Sequence, residues 1–373
     1  MDTTLPTPLL AGLSPQAFMR RHWQKKPLLI RQALPGLAGP LSRNELFALA
    51  ARDGVESRLI QQRAKGWTMR HGPFARRQLP ALAQPGWTLL VQGVDLHVAA
   101  AHALLSRFRF VPDARLDDLM ISYASDGGGV GPHFDSYDVF LLQVHGKRRW
   151  RIGRLKDPTL QPDVPLKILA NFEPEMEWLL EPGDMLYLPP RWAHDGVAEG
   201  ACMTASIGFR AVGRGEVARE VLQRFVDAAD APTGEALYRD PAQPATPTPG
   251  LVPPALHDFA QDAIARLLDD PKALHRAVGE WLSEPKPQVW FDAGAGLPNG
   301  SSVALDRRTR MLYDAHHVFI NGESFRAAGR DATLMRRLAD ERVLSALERR
   351  RLSSGAAQLL DDWAHAGWLH KSD

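Results

Sequence analysis

A single cysteine, Cys202, stands among 373 residues, which excludes an internal disulfide framework and any Cys-rich zinc module. No apolar run approaches the roughly 20 residues a membrane helix needs. The opening Met1-Asp2-Thr3-Thr4 carries neither a basic nor an apolar region, so no signal peptide is read there. A soluble, cytoplasmic protein with no membrane partner is expected. An excess of one charge sign is also missing: 45 Lys and Arg face 43 Asp and Glu, for a net charge of +2. That balance argues against a dedicated nucleic-acid binder, whose basic face is usually concentrated. Local basic clusters at Arg70, Arg76 and Arg77, at Lys147 to Arg149 and at Arg349 to Arg351 read first as solvated surface. What remains is ordinary globular composition, 45% hydrophobic and 24% charged, which excludes disorder, collagen and coiled-coil rods.

The length predicts two or three domains, and proline marks the joints. Pro232, Pro241, Pro244, Pro247, Pro249, Pro253 and Pro254 crowd the stretch 230–254, where each removes a donor and restricts its predecessor. A second break falls at Pro285 and Pro287. The reading is therefore 1–210, 211–286 and 287–373. In the first part, helices over Pro15 to Trp23 and Leu41 to Ala51 lead into short apolar runs parted by Gly and Pro. Those runs are Leu119 to Tyr123, Val139 to Val144, Trp150 to Ile152, Met185 to Leu188 and Met203 to Phe209, the pattern of an antiparallel sandwich or barrel. The second part is helical: Val217, Val221 and Phe225 share one face, and Leu256, Phe259, Ala263, Ile264 and Leu267 another. In the third, Ser302 to Phe319 reads as strands around a turn at Asp306-Arg307. Asp331 is read as a helix cap, and Ala356 to Trp368 as a helix with Leu359, Leu360 and Trp363 on one face. Helices with a small hairpin allow a winged-helix-like domain.

Chemistry concentrates in Gly127 to Asp135. In a strand, His133 and Asp135 point to the same face, an imidazole beside a carboxylate. A third metal ligand is needed from elsewhere, and His194 fits best. It follows a Pro182-Gly183 turn, a short apolar strand and Pro189-Pro190. Two histidines and one carboxylate with open positions are the arrangement of non-haem Fe(II) oxygenases. Residues 316 and 317, both histidine, read as a hairpin position. Arg148 is a separate clue. If alternation holds from Phe140 to Ile152, the even positions face inward and Arg148 is their only charge, so it requires an anionic partner. A protein carboxylate or a carboxylate-bearing ligand satisfies it, and a bulge near Gly146 would reverse the parity.

These motifs together resemble the JmjC (cupin) 2-oxoglutarate oxygenases: Gly127 to Asp135, Tyr187 to His194, and the opener Phe18 to Ile30. Asp117 to Ser122, Tyr137 to Phe140 and Arg148 to Trp150 resemble, more narrowly, the bacterial ribosomal oxygenases. The resemblance implies a mainly β catalytic domain, a double-stranded β-helix (cupin jelly roll), followed by a helical dimerisation region and a winged-helix-like C-terminal domain. It implies Fe(II) held by His133, Asp135 and His194, with 2-oxoglutarate and O2 as cosubstrates. Arg148 would hold the distal carboxylate of 2-oxoglutarate, and Ser206 would add a hydrogen bond. The implied activity is hydroxylation of an arginine side chain in a large-subunit ribosomal protein of the L-sixteen type, by a homodimer. Asp117, Asp118, Tyr137 and Asp138 are candidates to receive that cation, and the basic clusters to face ribosomal RNA. The alternatives are a histidine hydroxylase of a ribosomal protein, a metal cupin enzyme not using 2-oxoglutarate, and a non-catalytic ribosome-associated adaptor.

Overall fold

The computed structural model of the chain describes residues 2–37, 39–63, 66–229, 237–298 and 300–372. Within them no helix is long and apolar enough to cross a membrane. Of the proline-rich stretch, residues 230–236, including Pro232, lie outside the described residues, as does the side chain of Leu267. Two compact units divide between residues 211 and 212.

Both expected N-terminal helices form in the first unit. Ser14 caps α1 (Pro15–Arg21), with proline in the first turn, and Ser42 closes a capping box with Glu45 on α2 (Arg43–Ala50). A third helix, α3, spans Ala99–Ser106. Ten strands form: β1 (Leu28–Ile30), β2 (Ser57–Arg63), β3 (Gly66–His71), β4 (Trp87–Val91), β5 (Leu116–Ala124), β6 (His133–Phe134), β7 (Val139–Arg154), β8 (Met176–Leu180), β9 (Met185–Leu188) and β10 (Trp192–Phe209). The five apolar runs fall in four of them, β5, β7, β9 and β10. They join in the order β1-β9-β7-β10-β5-β4-β2-β3, with β6 also on β10 and β8 also on β7. One half of the β7–β10 pair meets β9 and β5, and the other half meets β8 and β6. The two long strands thus run through both sheets of a double-stranded β-helix.

The passage from one half to the other is made at Gly146. Its φ is +63°, and a Cβ there would lie 2.2 Å from the Ala201 carbonyl oxygen, so only glycine fits. The β7–β10 register shifts alongside it. Before the shift, Phe140, Leu142 and Val144 pack into the large core beneath the helices, while Val139 and Leu141 enter the inner core of the barrel. After it, Trp150 and Ile152 enter that same inner core. The even positions from 140 to 152 are therefore not one face: the shift exchanges inside and outside. Arg148 faces inward because it lies beyond the exchange.

The second unit holds α4 (Arg214–Ala229), α5 (Pro254–Leu268), α6 (Pro271–Ser283), β11 (Ser302–Leu305), β12 (Met311–Tyr313), β13 (His317–Ile320), β14 (Glu323–Arg326), α7 (Gly329–Glu341), β15 (Val343–Leu344), α8 (Ala346–Arg349), α9 (Ser354–His365) and β16 (Leu369–Ser372). Val303, Leu338, Leu344, Leu360 and Trp363 centre its core. Strands β11 and β12 belong to different sheets, so Asp306-Arg307 is not a hairpin turn. The hairpins are β12–β13 and β13–β14, the latter closed by Asn321-Gly322 with φ +48° and +92°. Asp331 does not cap α7: it lies in that helix's first turn and accepts from Ser353 N and Oγ at 3.0 and 2.6 Å, holding the start of α9. Helix α6 packs on the strands beyond residue 286, since a Cβ on Gly279 would lie 2.3 Å from the Phe319 ring.

Candidate metal centre

Strand β6 carries His133 and lies antiparallel beside the start of β10, where His194 sits directly opposite it. Asp135 follows two positions after His133, and the three donor groups lie within 4.8 Å of one another. His194 Nε2 is 3.7 Å from an Asp135 oxygen, and the two imidazole centroids are 4.2 Å apart. His133 Nδ1 lies 3.0 Å from the Gly131 carbonyl and His194 Nδ1 3.0 Å from that of Trp192. A carbonyl only accepts, so both Nδ1 atoms carry the proton and both Nε2 lone pairs are available to a metal. The neighbouring glycines let the chain come this close. A Cβ on Gly129 would stand 2.6 Å from the Gly196 carbonyl oxygen, and one on Gly196 the same distance from the Trp150 ring.

Burial, and next the charge of His133, pull the pKa of His194 down to about 4 against the opposing Asp135 carboxylate. At neutral pH the ring is therefore neutral and ready to ligate. The unfolded chain, with histidine near 6.5, binds more protons than the folded one between those two values. Stability of the metal-free protein is expected to fall as the pH drops from about 6.5 towards 4, by about 3 kcal/mol from this group, and to level off below. Urea unfolding of the wild type and of His194→Gln across that range checks it. The wild type should lose more, and equal losses would contradict the assignment.

The His133/Asp135/His194 triad opens on a cavity of about 440 Å³. One wall is a single sheet face: Arg58, Leu90 and Gln92, then Asp118, Met120 and Ser122, then Ser206 and Gly208, then Val139 and Leu141. Opposite stand His133, Asp135, Trp150, His194 and Lys167. Arg148 lies on the cavity wall with only 4% of its surface exposed. Its Nη1 donates to Ser122 Oγ at 3.1 Å and Thr204 Oγ1 at 3.2 Å, its guanidinium lies 5.4 Å from the Trp150 ring centroid, and its Nε is buried without a partner. Two neutral hydroxyls do not neutralise a desolvated guanidinium. Its remaining donors suit a carboxylate arriving in the cavity. No sequence signal assigned Ser122, Thr204 or Trp150 a part in holding Arg148; Ser122 and Thr204 lie inside the apolar runs Leu119 to Tyr123 and Met203 to Phe209.

The residues expected to meet a substrate separate. Asp117, Asp118, Tyr137 and Ser206 line the cavity. Asp118 is buried and accepts from Gln92 Nε2 at 2.7 Å and Gly93 N at 3.0 Å. The Tyr137 hydroxyl is pushed above its ordinary pKa by lost hydration and by the adjacent Asp135 carboxylate. Asp138 does not reach the cavity. Next in the chain after Tyr137 and just before β7, it turns away from the cavity, fully buried, and accepts from Tyr187 Oη at 2.6 Å and Gln24 Nε2 at 3.0 Å, with Arg115 at 3.7 Å. It ties α1's C-terminal loop to the barrel. Asp138→Ala is expected to cost about 1–3 kcal/mol in urea unfolding by stranding the Tyr187 and Gln24 donors, with metal affinity of the folded protein unchanged. A large loss of metal affinity without loss of stability would return it to the site. The Lys147 to Arg149 cluster is likewise not a free basic face: Lys147 pairs with Glu181, Arg149 with Glu177 and Glu199, and Arg148 is inside.

A His/Asp/His triad at the mouth of a double-stranded β-helix, beside an inward arginine, defines a JmjC-type Fe(II)/2-oxoglutarate oxygenase domain. The JmjC domain family matches residues 103–217, and the ROXA-like winged helix family matches 266–370. The chain is 35% identical over 332 residues to the Ribosomal protein uL16 3-hydroxylase of Escherichia coli K12, covering 84% of this chain and 86% of that one. It superposes on the X-ray structure of E. coli YcfD with a TM-score of 0.83 at 30% identity, over 96% of this chain and 98% of that one. A structure of that ribosomal oxygenase with cobalt and 2-oxoglutarate gives a TM-score of 0.80 at 31% identity, over 97% and 99% of the two chains. The chain belongs to the ribosomal oxygenase family of JmjC oxygenases.

Proposed function

We propose that this protein is a 2-oxoglutarate-dependent hydroxylase of a ribosomal protein of the L-sixteen type, acting on an arginine side chain. The observation that carries the reading is the buried Arg148 with an unpartnered Nε on the wall of the triad's cavity, in a chain similar over most of its length to a uL16 hydroxylase. His133, Asp135 and His194 would hold the iron. Iron in that position supplies oxygen activation, with one oxygen atom entering the substrate C–H bond and the other passing to succinate as 2-oxoglutarate loses CO2. Arg148 grips the distal carboxylate of 2-oxoglutarate, and Ser122 and Thr204 fix the guanidinium from behind. Ser206 lies on the same sheet face as Thr204, within reach of a molecule lodged there. Val139, Leu141 and Trp150 keep the inner end dry, which strengthens each charge contact. Asp118 and Tyr137 offer acidic and aromatic surface to a substrate guanidinium.

The test uses protein loaded with Fe(II), given 2-oxoglutarate, ascorbate and the ribosomal proteins of its host. Intact mass should rise by one oxygen atom on one protein, absent with His133→Ala, and fragmentation should place the atom on arginine. An oxygen on histidine would overturn the choice of acceptor. The protein would work in the cytoplasm, where that substrate is made. A homodimer is supported by apolar side chains left exposed on two helices: Leu222 and Val226 on α4, and Phe259, Ile264 and Leu268 on α5. Sedimentation velocity over a concentration series should show a dimer, and a monomer throughout would exclude it.

A further inference from the structure

The C-terminal unit has a second cavity, of about 500 Å³, between the N-terminus of α7, the turn before β13 and the start of α6. Its charged walls are Lys272, Arg326 and Arg336, joined by His316 and His317, and no carboxylate belongs to the lining. In a chain whose charges nearly balance, three fixed cations around one hollow without an acid are out of proportion. Several other basic residues of this protein are met by acids, as Lys147 and Arg149 are.

Three further observations point the same way. Helix α7 is preceded at its N-cap by Ala328, which has no side-chain acceptor, so its first-turn N–H groups lack a side-chain cap beside the cavity. The one acid in that turn, Asp331, is drawn away by Ser353. His317 is 7% exposed, and its Nδ1, 3.5 Å from an Asp314 oxygen, makes no hydrogen bond. Arg336 is held in place by donating to the Asp314 and Ala315 carbonyls at 3.3 and 2.9 Å, which leaves the other edge of its guanidinium for a ligand. Convergent cations, a bare helix N-terminus and a buried imidazole make an anion site. Several cations suit a group with multiple charges and three or more acceptor oxygens better than a single carboxylate.

We propose that this cavity binds a phosphate group, carried either by a small phosphate ester or by the backbone of an RNA strand. The volume exceeds that of a bare phosphate ion and leaves room for the ester's substituent. The site is independent of the metal centre and of the hydroxylation reading.

The full-length protein is titrated at low salt with inorganic phosphate by calorimetry, and with a fluorescent oligouridylate by anisotropy. The comparison is the double variant Lys272→Ala/Arg326→Ala, both residues being solvent-exposed. Phosphate affinity is expected to fall at least about tenfold in the variant, the scale of losing charge-assisted hydrogen bonds. If RNA is the source, its affinity falls too, and the slope of log K against log salt shrinks by about 0.7 for each cation removed. Phosphate binding without RNA binding supports the small-ester source. Absence of phosphate binding in the wild type, or equal binding by wild type and variant, would overturn the proposal. Hydroxylation per folded enzyme should be the same in both proteins.

Discussion

Alanine at His194 is expected to abolish metal binding and hydroxylation together. The ring is one of three donors within 4.8 Å, and nothing else among the described residues stands close enough to replace it. Changing residues that merely orient a metal ligand already costs about 10–100-fold in affinity, so loss of the ligand itself should exceed about 100-fold. Cobalt(II) absorption titration reads the affinity directly, and succinate release reads turnover. The fold should survive, because the same substitution removes a neutral imidazole that is expensive to protonate and leaves Trp150 and Ile152 packed. His133→Ala and Asp135→Ala should behave alike. If His194→Ala kept cobalt affinity within about tenfold, the metal would have to sit elsewhere.

The second large effect belongs to Arg148, and its two readouts should move in opposite directions. Arg148→Met keeps most of the side-chain volume and removes a guanidinium that, without its carboxylate, is desolvated and met only by Ser122 and Thr204 hydroxyls. Replacing buried charge by apolar volume is neutral or stabilising by up to about 1–4 kcal/mol, so the ligand-free protein should hold or raise its Tm. Removing one partner of a buried charge pair costs about 2–5 kcal/mol of binding, so the KM for 2-oxoglutarate should rise by roughly 30-fold to several thousandfold. Arg148→Lys should fall between, because an ammonium keeps the charge and loses the planar fork. A variant that lost stability while keeping its KM would make Arg148 a structural residue. The cosubstrate itself should protect the wild type against heat and leave Arg148→Met unaffected, since ligand binding to the native state alone raises stability.

The chain's own residues determined a good deal. His133 and Asp135 could be paired from the sequence because the period of a strand is local, and His194 because a Pro-Gly turn, a short strand and a Pro-Pro step announce it. Strands β5, β7, β9 and β10 were legible as apolar runs because they are covered on both faces, by the helices on one side and by the opposite sheet on the other. Strands β2, β3 and β8 carry exposed polar positions and gave no such run. The inward turn of Arg148 was reached by counting from Phe140, but the count crosses Gly146. Only the register shift there explains why Leu141 and Trp150, one odd and one even, meet in the same inner core.

What tertiary structure alone decided is which residues face each other across strands distant in sequence. Ser122 and Thr204 stand opposite one another only through the β5–β10 register, and together they hold a guanidinium from β7. Glu177, Glu181 and Glu199 reach Lys147 and Arg149 from other strands or the turn joining them, which turned an apparent basic patch into paired surface charge. Asp138 and Tyr137 are neighbours whose destinations differ because successive side chains of an extended chain leave on opposite sides. Periodicity tells that two residues part company. Which of them lines the cavity depends on which side the sheet closes over, and that is set by long-range packing.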